Sequence, residues 1–217
     1  MNTQHPSLPI DVVSDVVCPW CYIGKRRLER ALALRRAEAP AFRAQVAWHP
    51  FELNPGVPES GVERQAFYRR KFGDEVDRVI AHVTEAGRSA GLDFHFDRIG
   101  RQPNTTAMHA LIAHAGNRDL QDALVEALFR AFFVDGVDLG DPVRIAATAC
   151  SAGLAESEVE AVLANAAARE HVRVEQARAR ELGVQGVPFF VFDGRVAVSG
   201  AQLPETLLAA MREAASG

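Results

Sequence analysis

The order of apolar and polar positions divides the chain into three stretches of different texture. From Ile10 to Val17 the run is rich in valine and predicts a strand. Pro19 then opens a helix running to about Arg36, because proline's fixed φ suits the first helical position and its missing N–H would be unpaired there. Leu28, Ala31 and Leu32 give that helix an i, i+3, i+4 apolar face. A second strand is expected around Gln45 to Phe51, so the first 53 residues read β-α-β.

The middle, roughly residues 60 to 183, reads as consecutive helices. Asn104 is placed to cap a helix in which Met108, Leu111, Ile112 and Ala115 recur at helical spacing. Leu120, Leu124, Ala127, Leu128 and Ala131 form the stripe of another, Asp141-Pro142 starts a third, and Glu156 to Leu182 adds more before Gly183 stops it. The tail changes again. Val187 to Phe192 favours strand, Asp193-Gly194 is a type I′ turn pair, and Arg195 to Val198 completes a hairpin. Pro204 opens a last helix with Leu207, Leu208 and Met211 inward. The expected organisation is one discontinuous α/β domain, residues 1–56 and 184–217, with residues 57–183 inserted as a helical domain.

Composition narrows the function more than the fold. The 217 residues are 48% hydrophobic and 24% charged with a net charge of -4, an ordinary globular balance without the basic surplus that nucleic acid demands. The runs Lys25-Arg26-Arg27 and Arg69-Arg70-Lys71 read as solvated helix faces. The opening MNTQHPSLPI lacks the features of a secretory signal, and no window reaches membrane-span length. Three cysteines, an odd number, do not suit a secreted disulfide framework. A cytoplasmic protein without membrane or nucleic-acid partners is therefore expected.

In that setting Cys18-Pro19-Trp20-Cys21 carries the chemistry. Two residues between cysteines on a first helical turn bring their sulfurs within bonding range, with Cys21 inside the helix and Cys18 at its tip. A helix N-terminus favours a thiolate by about 1 kcal/mol, so further donors must help to ionise a thiol near neutral pH. Trp20 offers an aromatic body and no positive charge, which points to a moderate pair rather than a strong oxidant. Zinc is the alternative. It needs about four ligands, and the remaining cysteine, Cys150, is distant, while His109 and His114 are five apart and off a common helix face. The strand-then-helix context favours a redox dithiol without a metal.

The residues resemble a known superfamily. A strand, CxxC at a helix start and a distant Val187-Pro188 before an antiparallel hairpin look like the thioredoxin fold, and the helical insertion looks like its DsbA-like branch. VCPWCYIGK, HPFELNP (His49 to Pro55), PNT (Pro103 to Thr105), GVQGVPFFVFDG and VSGAQ (Val198 to Gln202) resemble the FrnE-like subfamily. The resemblance implies a protein dithiol–disulfide oxidoreductase or isomerase, acting on disulfide-containing proteins or small thiols. It makes Cys18 the attacking thiol, Cys21 the resolving thiol and Pro188 a cis-proline. Val187 pairs with an extended substrate, Pro19 and Trp20 border it, and His49, Asn104 and Gln202 lie around the cleft. It requires no cofactor beyond the dithiol, leaves glutathione open as a co-substrate, and is compatible with a monomer or a homodimer.

The same branch contains kappa-class glutathione transferases and glutathione-dependent hydroxychromene-carboxylate isomerases, the rival reading. Those carry serine where Cys18 stands and a Ser-Asp pair where this chain has Gly200-Ala201-Gln202. Plainer roles also stand beside the cleft assignments: His49 as a hydrogen-bonded strand histidine, Asn104 as a helix cap, Cys150 as a buried small apolar residue. Asp135, Asp138 and Asp141 lack the glutamate of a calcium loop and read as an interhelical loop. The Met108/Leu111/Ile112 and Phe129/Phe132/Phe133 stripes read as core.

Overall fold

A computed structural model of the chain describes residues 7–216. Its central sheet has four strands in the order β2-β1-β5-β6, with β1 Leu8–Ser14, β2 Ala44–Pro50, β5 Phe189–Phe192 and β6 Val196–Ser199. β1 pairs parallel with β2 and antiparallel with β5, and β6 closes the hairpin. The helix α1 (Pro19–Glu38) joins the parallel pair, and α9 (Pro204–Ala215) follows the hairpin and packs on α1. This is the α/β thioredoxin fold that the two ends of the chain predict.

Between β2 and β5 run seven helices: α2 Arg64–Phe72, α3 Val76–Ser89, α4 Thr106–Gly116, α5 Gln121–Phe133, α6 Pro142–Ser151, α7 Glu156–Ala164 and α8 Ala166–Glu181. A small antiparallel ribbon, β3 (Val62–Glu63) with β4 (Arg101–Gln102), ties the start of this segment to the residues before α4. Helix periodicity gives no hint of so short a ribbon. The helical stretch expected over 156–182 comprises two helices, because Asn165 ends one and caps the next, its side chain accepting from the Ala167 N–H at 2.9 Å.

Strand limits also differ from expectation, for local reasons. β1 stops at Ser14, not Val17, because the Asp15 carbonyl accepts the Cys18 N–H at 3.0 Å and turns the chain into α1. Val16 and Val17 are apolar because that turn is buried. β5 starts at Phe189 because Pro188 has no N–H for the ladder. The Asp193-Gly194 turn is as read, with φ of 52° and 64°, both positive as type I′ requires.

The two faces of the sheet separate by alternation. Ile10, Val12, Phe190 and Phe192 belong to the main core, continuous through Tyr22, Leu28, Phe129, Phe133 and Leu207. Val13 and Phe189 face the other way, against Phe51, Ala179 and Val184. At the β2 edge, Gln121 of α5 accepts the Trp48 N–H at 2.8 Å and donates to the Trp48 carbonyl at 3.1 Å, so one side chain caps an otherwise open strand. Among the described residues no helix is long and apolar enough to cross a membrane.

Candidate functional site

Cys18 is the N-cap of α1, in extended conformation with φ -96° and ψ 109°, and Pro19 occupies the first turn. Its carbonyl accepts the Cys21 N–H at 3.0 Å, which draws the second cysteine onto the first turn. Both cysteines are buried, 3% exposed at Cys18 and 1% at Cys21. The Cys18 sulfur lies 3.6 Å from the Val187 carbonyl oxygen, from a residue 169 positions away, and the Val187–Pro188 peptide is cis.

Pro188 can stand this close because of a glycine in α1. A Cβ on Gly24 would lie 2.9 Å from Pro188 Cγ and 3.1 Å from the Phe190 ring. From the other side, the Gly200 N–H, just past the end of β6, donates to the Pro188 carbonyl at 2.8 Å and holds the proline segment in place.

Electrostatics bear on Cys21. Burial pushes the Cys21 thiol well above its ordinary value, and a hydrogen bond to the Cys18 sulfur pushes in the same direction. The Asp15 backbone and the Ser14 hydroxyl pull against this without reversing it. Cys21 therefore keeps its proton near neutrality and presents it to Cys18, the arrangement a resolving thiol needs before its turn to attack.

A groove of about 310 Å³ opens over Cys18. Val17, Pro19, Trp20, Gly186 and Val187 form its floor, while Phe67, Tyr68 and Phe72 of α2 and Val79, Ile80 and Val83 of α3 form its roof. Trp20 packs on His82 with ring centroids 5.5 Å apart. Burial pushes the Tyr68 phenol up to about 12; Arg64 opposes the shift and the Cys18 sulfur adds to it. The loop after β2 closes the groove with Leu53 and Asn54, whose carboxamide oxygen accepts from Lys71 at 3.0 Å.

That loop is anchored by buried polar groups that motif reading passes over. Asp15, fully buried, accepts the Leu53 N–H at 2.8 Å with one carboxylate oxygen and meets His109 Nε2 at 3.3 Å with the other. Glu52 accepts from the Thr106 hydroxyl at 2.6 Å, and its backbone N–H donates to the side chain of Gln176.

The structure gathers Cys18, Pro19, Trp20 and Val187 at one groove, with Cys21 and Pro188 directly behind. It does not bring the other three expected residues there. His49 lies on β2 with Nε2 2.8 Å from the Asp11 carboxylate. Asn104 donates to the Val57 carbonyl at 2.8 Å and accepts the Thr106 N–H at 3.0 Å; the cap residue of α4 is Thr105. Gln202 is exposed and donates to the Ser199 carbonyl at 2.9 Å. Tyr68, Lys71, Leu53 and Gln102 line the groove unforeseen. Of these, only Leu53 lies within a quoted motif, HPFELNP. Cys150 is half-buried on α6 rather than fully enclosed. Among the described residues no group of three or more His, Cys, Asp or Glu side chains is placed to hold a metal ion.

Comparison with known proteins agrees with this geometry. The family model described as a DSBA-like thioredoxin domain matches residues 9–212. The crystal structure of a probable DsbA oxidoreductase from Streptomyces coelicolor superposes with a TM-score of 0.86 at 33% identity, covering 96% of this chain and 90% of that one. The uncharacterized protein YwbO of Bacillus subtilis (strain 168) is 23% identical over 198 residues, 88% of this chain and 90% of its own length. The cytosolic disulfide reductase DsbM from Pseudomonas aeruginosa, solved with GSH, shares the fold at TM-score 0.64 and 18% identity, over 96% of this chain and all of that one.

Proposed function

The chain belongs to the family of DSBA-like thioredoxin domains, and from that premise we propose that it is a thiol–disulfide oxidoreductase working through Cys18 and Cys21. The observation that carries the reading is the contact of the Cys18 sulfur with the Val187 carbonyl, 3.6 Å, above a Cys21 thiol whose proton burial retains.

In the proposed cycle the Cys18 thiolate attacks one sulfur of a substrate disulfide. The new bond joins Cys18 to that sulfur, the substrate S–S bond breaks, and the other substrate sulfur leaves as a thiolate and takes up a proton. Cys21 then gives up its proton and attacks the Cys18 sulfur. The intramolecular disulfide forms and the second substrate thiolate departs, so two electrons have passed from the pair to the substrate. A thiol reductant such as glutathione returns them by the reverse exchange. Val187 offers backbone to an extended substrate alongside, and Pro188, held by Gly24 and Gly200, fixes where that backbone runs. The dithiol is the redox group, and a reducing compartment such as the cytoplasm suits it.

Trp20 brings no charge to the thiolate, and Lys71 is the one cation among the groove-lining residues. The proposed pair is therefore a moderate one, on the reducing side of a strong periplasmic oxidant. The FrnE-like motifs belong to the same reading, as does a helical segment 57–183 that shapes the substrate groove on a thioredoxin core.

The test is a glutathione redox titration of the full chain together with turnover on a disulfide substrate. Cys21→Ser should accumulate a stable mixed disulfide at Cys18, visible by mass spectrometry, and lose at least 100-fold in turnover, equivalent to about 2.7 kcal/mol at 1.36 kcal/mol per decade. A Cys21→Ser variant with full activity would favour glutathione-transferase chemistry, which needs no resolving thiol. A pair that forms no disulfide at any poise would sink the proposal.

A further inference from the structure

Gln102 is 2% exposed, and among the described residues its carboxamide nitrogen has no hydrogen-bond partner. It lines the groove over Cys18. Its backbone is pinned, because β4 pairs Gln102 with Val62 in the small ribbon. Proteins keep few buried donors unpaired, since each forgoes the hydrogen bond it had in water. An unpaired donor on a residue that lines a reaction groove, held on a fixed backbone, is one that a ligand atom entering the groove would satisfy.

The surroundings define that atom. Phe67, Tyr68, Phe72, Ile80, Val83 and Phe96 make most of the groove apolar, which penalises a charged acceptor, and its one cation, Lys71, already donates to Asn54 at 3.0 Å. The acceptor that suits is a neutral carbonyl oxygen. The groove, about 310 Å³, is at the small end of sites that hold drug-sized ligands, and Cys18 at its floor is only 3% exposed under α2 and α3. A sulfur this enclosed favours a small disulfide over one fixed in the surface of a folded protein. Resting on the thiol–disulfide reading above, we infer that Gln102 is a substrate-binding residue. Its carboxamide N–H donates to the amide carbonyl of a small disulfide that carries an apolar group beside the reacting sulfur. The exchange itself is unchanged: a Cys18–sulfur bond forms, the substrate S–S bond breaks, and the departing thiolate is protonated.

The experiment follows oxidation of the reduced, full-length protein by two probes. N,N′-dibenzoylcystamine has an amide carbonyl and an apolar ring on each side; bis(2-hydroxyethyl) disulfide has neither. Each rate is divided by the rate of the same probe with free dithiothreitol, which removes intrinsic reactivity. In Gln102→Leu and Gln102→Met the normalised rate with dibenzoylcystamine should fall at least tenfold, while that with the hydroxyethyl disulfide changes less than twofold. Both variants should also melt about 2–4 °C higher, because an unpaired donor has been replaced by an apolar group of similar size. Equal falls with both probes, an unchanged dibenzoylcystamine rate, or lower melting temperatures in both variants would overturn the assignment of Gln102. A wild-type protein that exchanges with neither probe would instead remove the thiol–disulfide reading beneath it.

Discussion

Gly24 shows how much of a reactive thiol's environment rests on a residue with no chemistry of its own. It lets α1 approach Pro188 within van der Waals distance, and Pro188 in turn carries Val187 to the Cys18 sulfur. Gly24→Ala adds one methyl that would meet Pro188 at 2.9 Å. Overpacking of this kind costs about 1–3 kcal/mol, and here the relief available is movement of the proline segment away from Cys18. The variant should fold with a lower urea midpoint and lose roughly tenfold in disulfide exchange; unaltered kinetics would show that the Pro188 position does not matter to the reaction. Cys18 and Cys21 were legible in the sequence because they are marked by residue type and spacing, and Val187-Pro188 through the family resemblance that the quoted motifs carry. Gln102, Asp15 and Tyr68 were not. Their importance lies in being buried beside particular partners, or beside none, which is a property of the assembled fold.

At the scale of elements, α1 is tied to the inserted helices by charge as well as by apolar packing. Lys25 is 3% exposed and meets Glu29 at 2.5 Å, Asp122 at 3.1 Å and Glu126 at 3.2 Å. Burial alone would lower its pKa; the Glu29 hydrogen bond and the Asp122 and Glu126 charges more than reverse this, so the amine is charged. Tyr22 donates to Glu126 at 2.7 Å and stacks on Phe129 with centroids 4.9 Å apart, and the Trp48 indole donates to Asp122 at 3.2 Å. Asp122 and Glu126 of α5 thus both hold α1, and Asp122 holds β2 as well. Lys25→Ala leaves Asp122 without its cation, and Glu29 and Glu126 with Arg26 alone, and should destabilise by about 2–3 kcal/mol, below the range for fully buried pairs because all three carboxylates keep some contact with water. Chemical denaturation measures this, and a loss under about 0.5 kcal/mol would show that the network is ornamental. In the sequence these residues look like an ordinary solvated run, Lys25-Arg26-Arg27, since nothing local says that a second helix covers one of the three.

The whole molecule feels its redox state through pH. Above pH ~8.5 an unfolded chain releases the Cys21 proton, whereas the folded, reduced chain retains it because burial raises that thiol. The folded state then binds more protons than the unfolded state, so stability falls as pH rises. The contribution is intact below that pH and is lost on the way up to the raised value. Tyr68 repeats the pattern from 10 to about 12. Oxidation removes the Cys21 thiol but leaves the burial that raises Tyr68, taking away only the smaller Cys18 contribution, so the reduced protein should lose more stability between pH 8 and 10 than the oxidised protein. Paired urea titrations of the two forms read the difference, and equal losses would contradict it. The architecture at this scale was largely legible: β-α-β, helices, then hairpin and helix. The β3–β4 ribbon was not, because two-residue strands have no period to detect. The turn at Asp15 was not either, because its apolar residues imitate a strand.

The two tryptophans, finally, stand in unlike places. Trp48 is 4% exposed, bonded to Asp122 and packed edge-on against Phe129 at 6.4 Å, in the α5 side of the core. Trp20 sits between the reacting cysteines and borders the groove. A disulfide quenches a neighbouring indole and a dithiol does so less, so the emission of Trp20 is a gauge of the pair's state built into the motif. With Trp48 replaced by phenylalanine, one fluorophore would report reduction, reoxidation and groove occupancy in real time, with no added label.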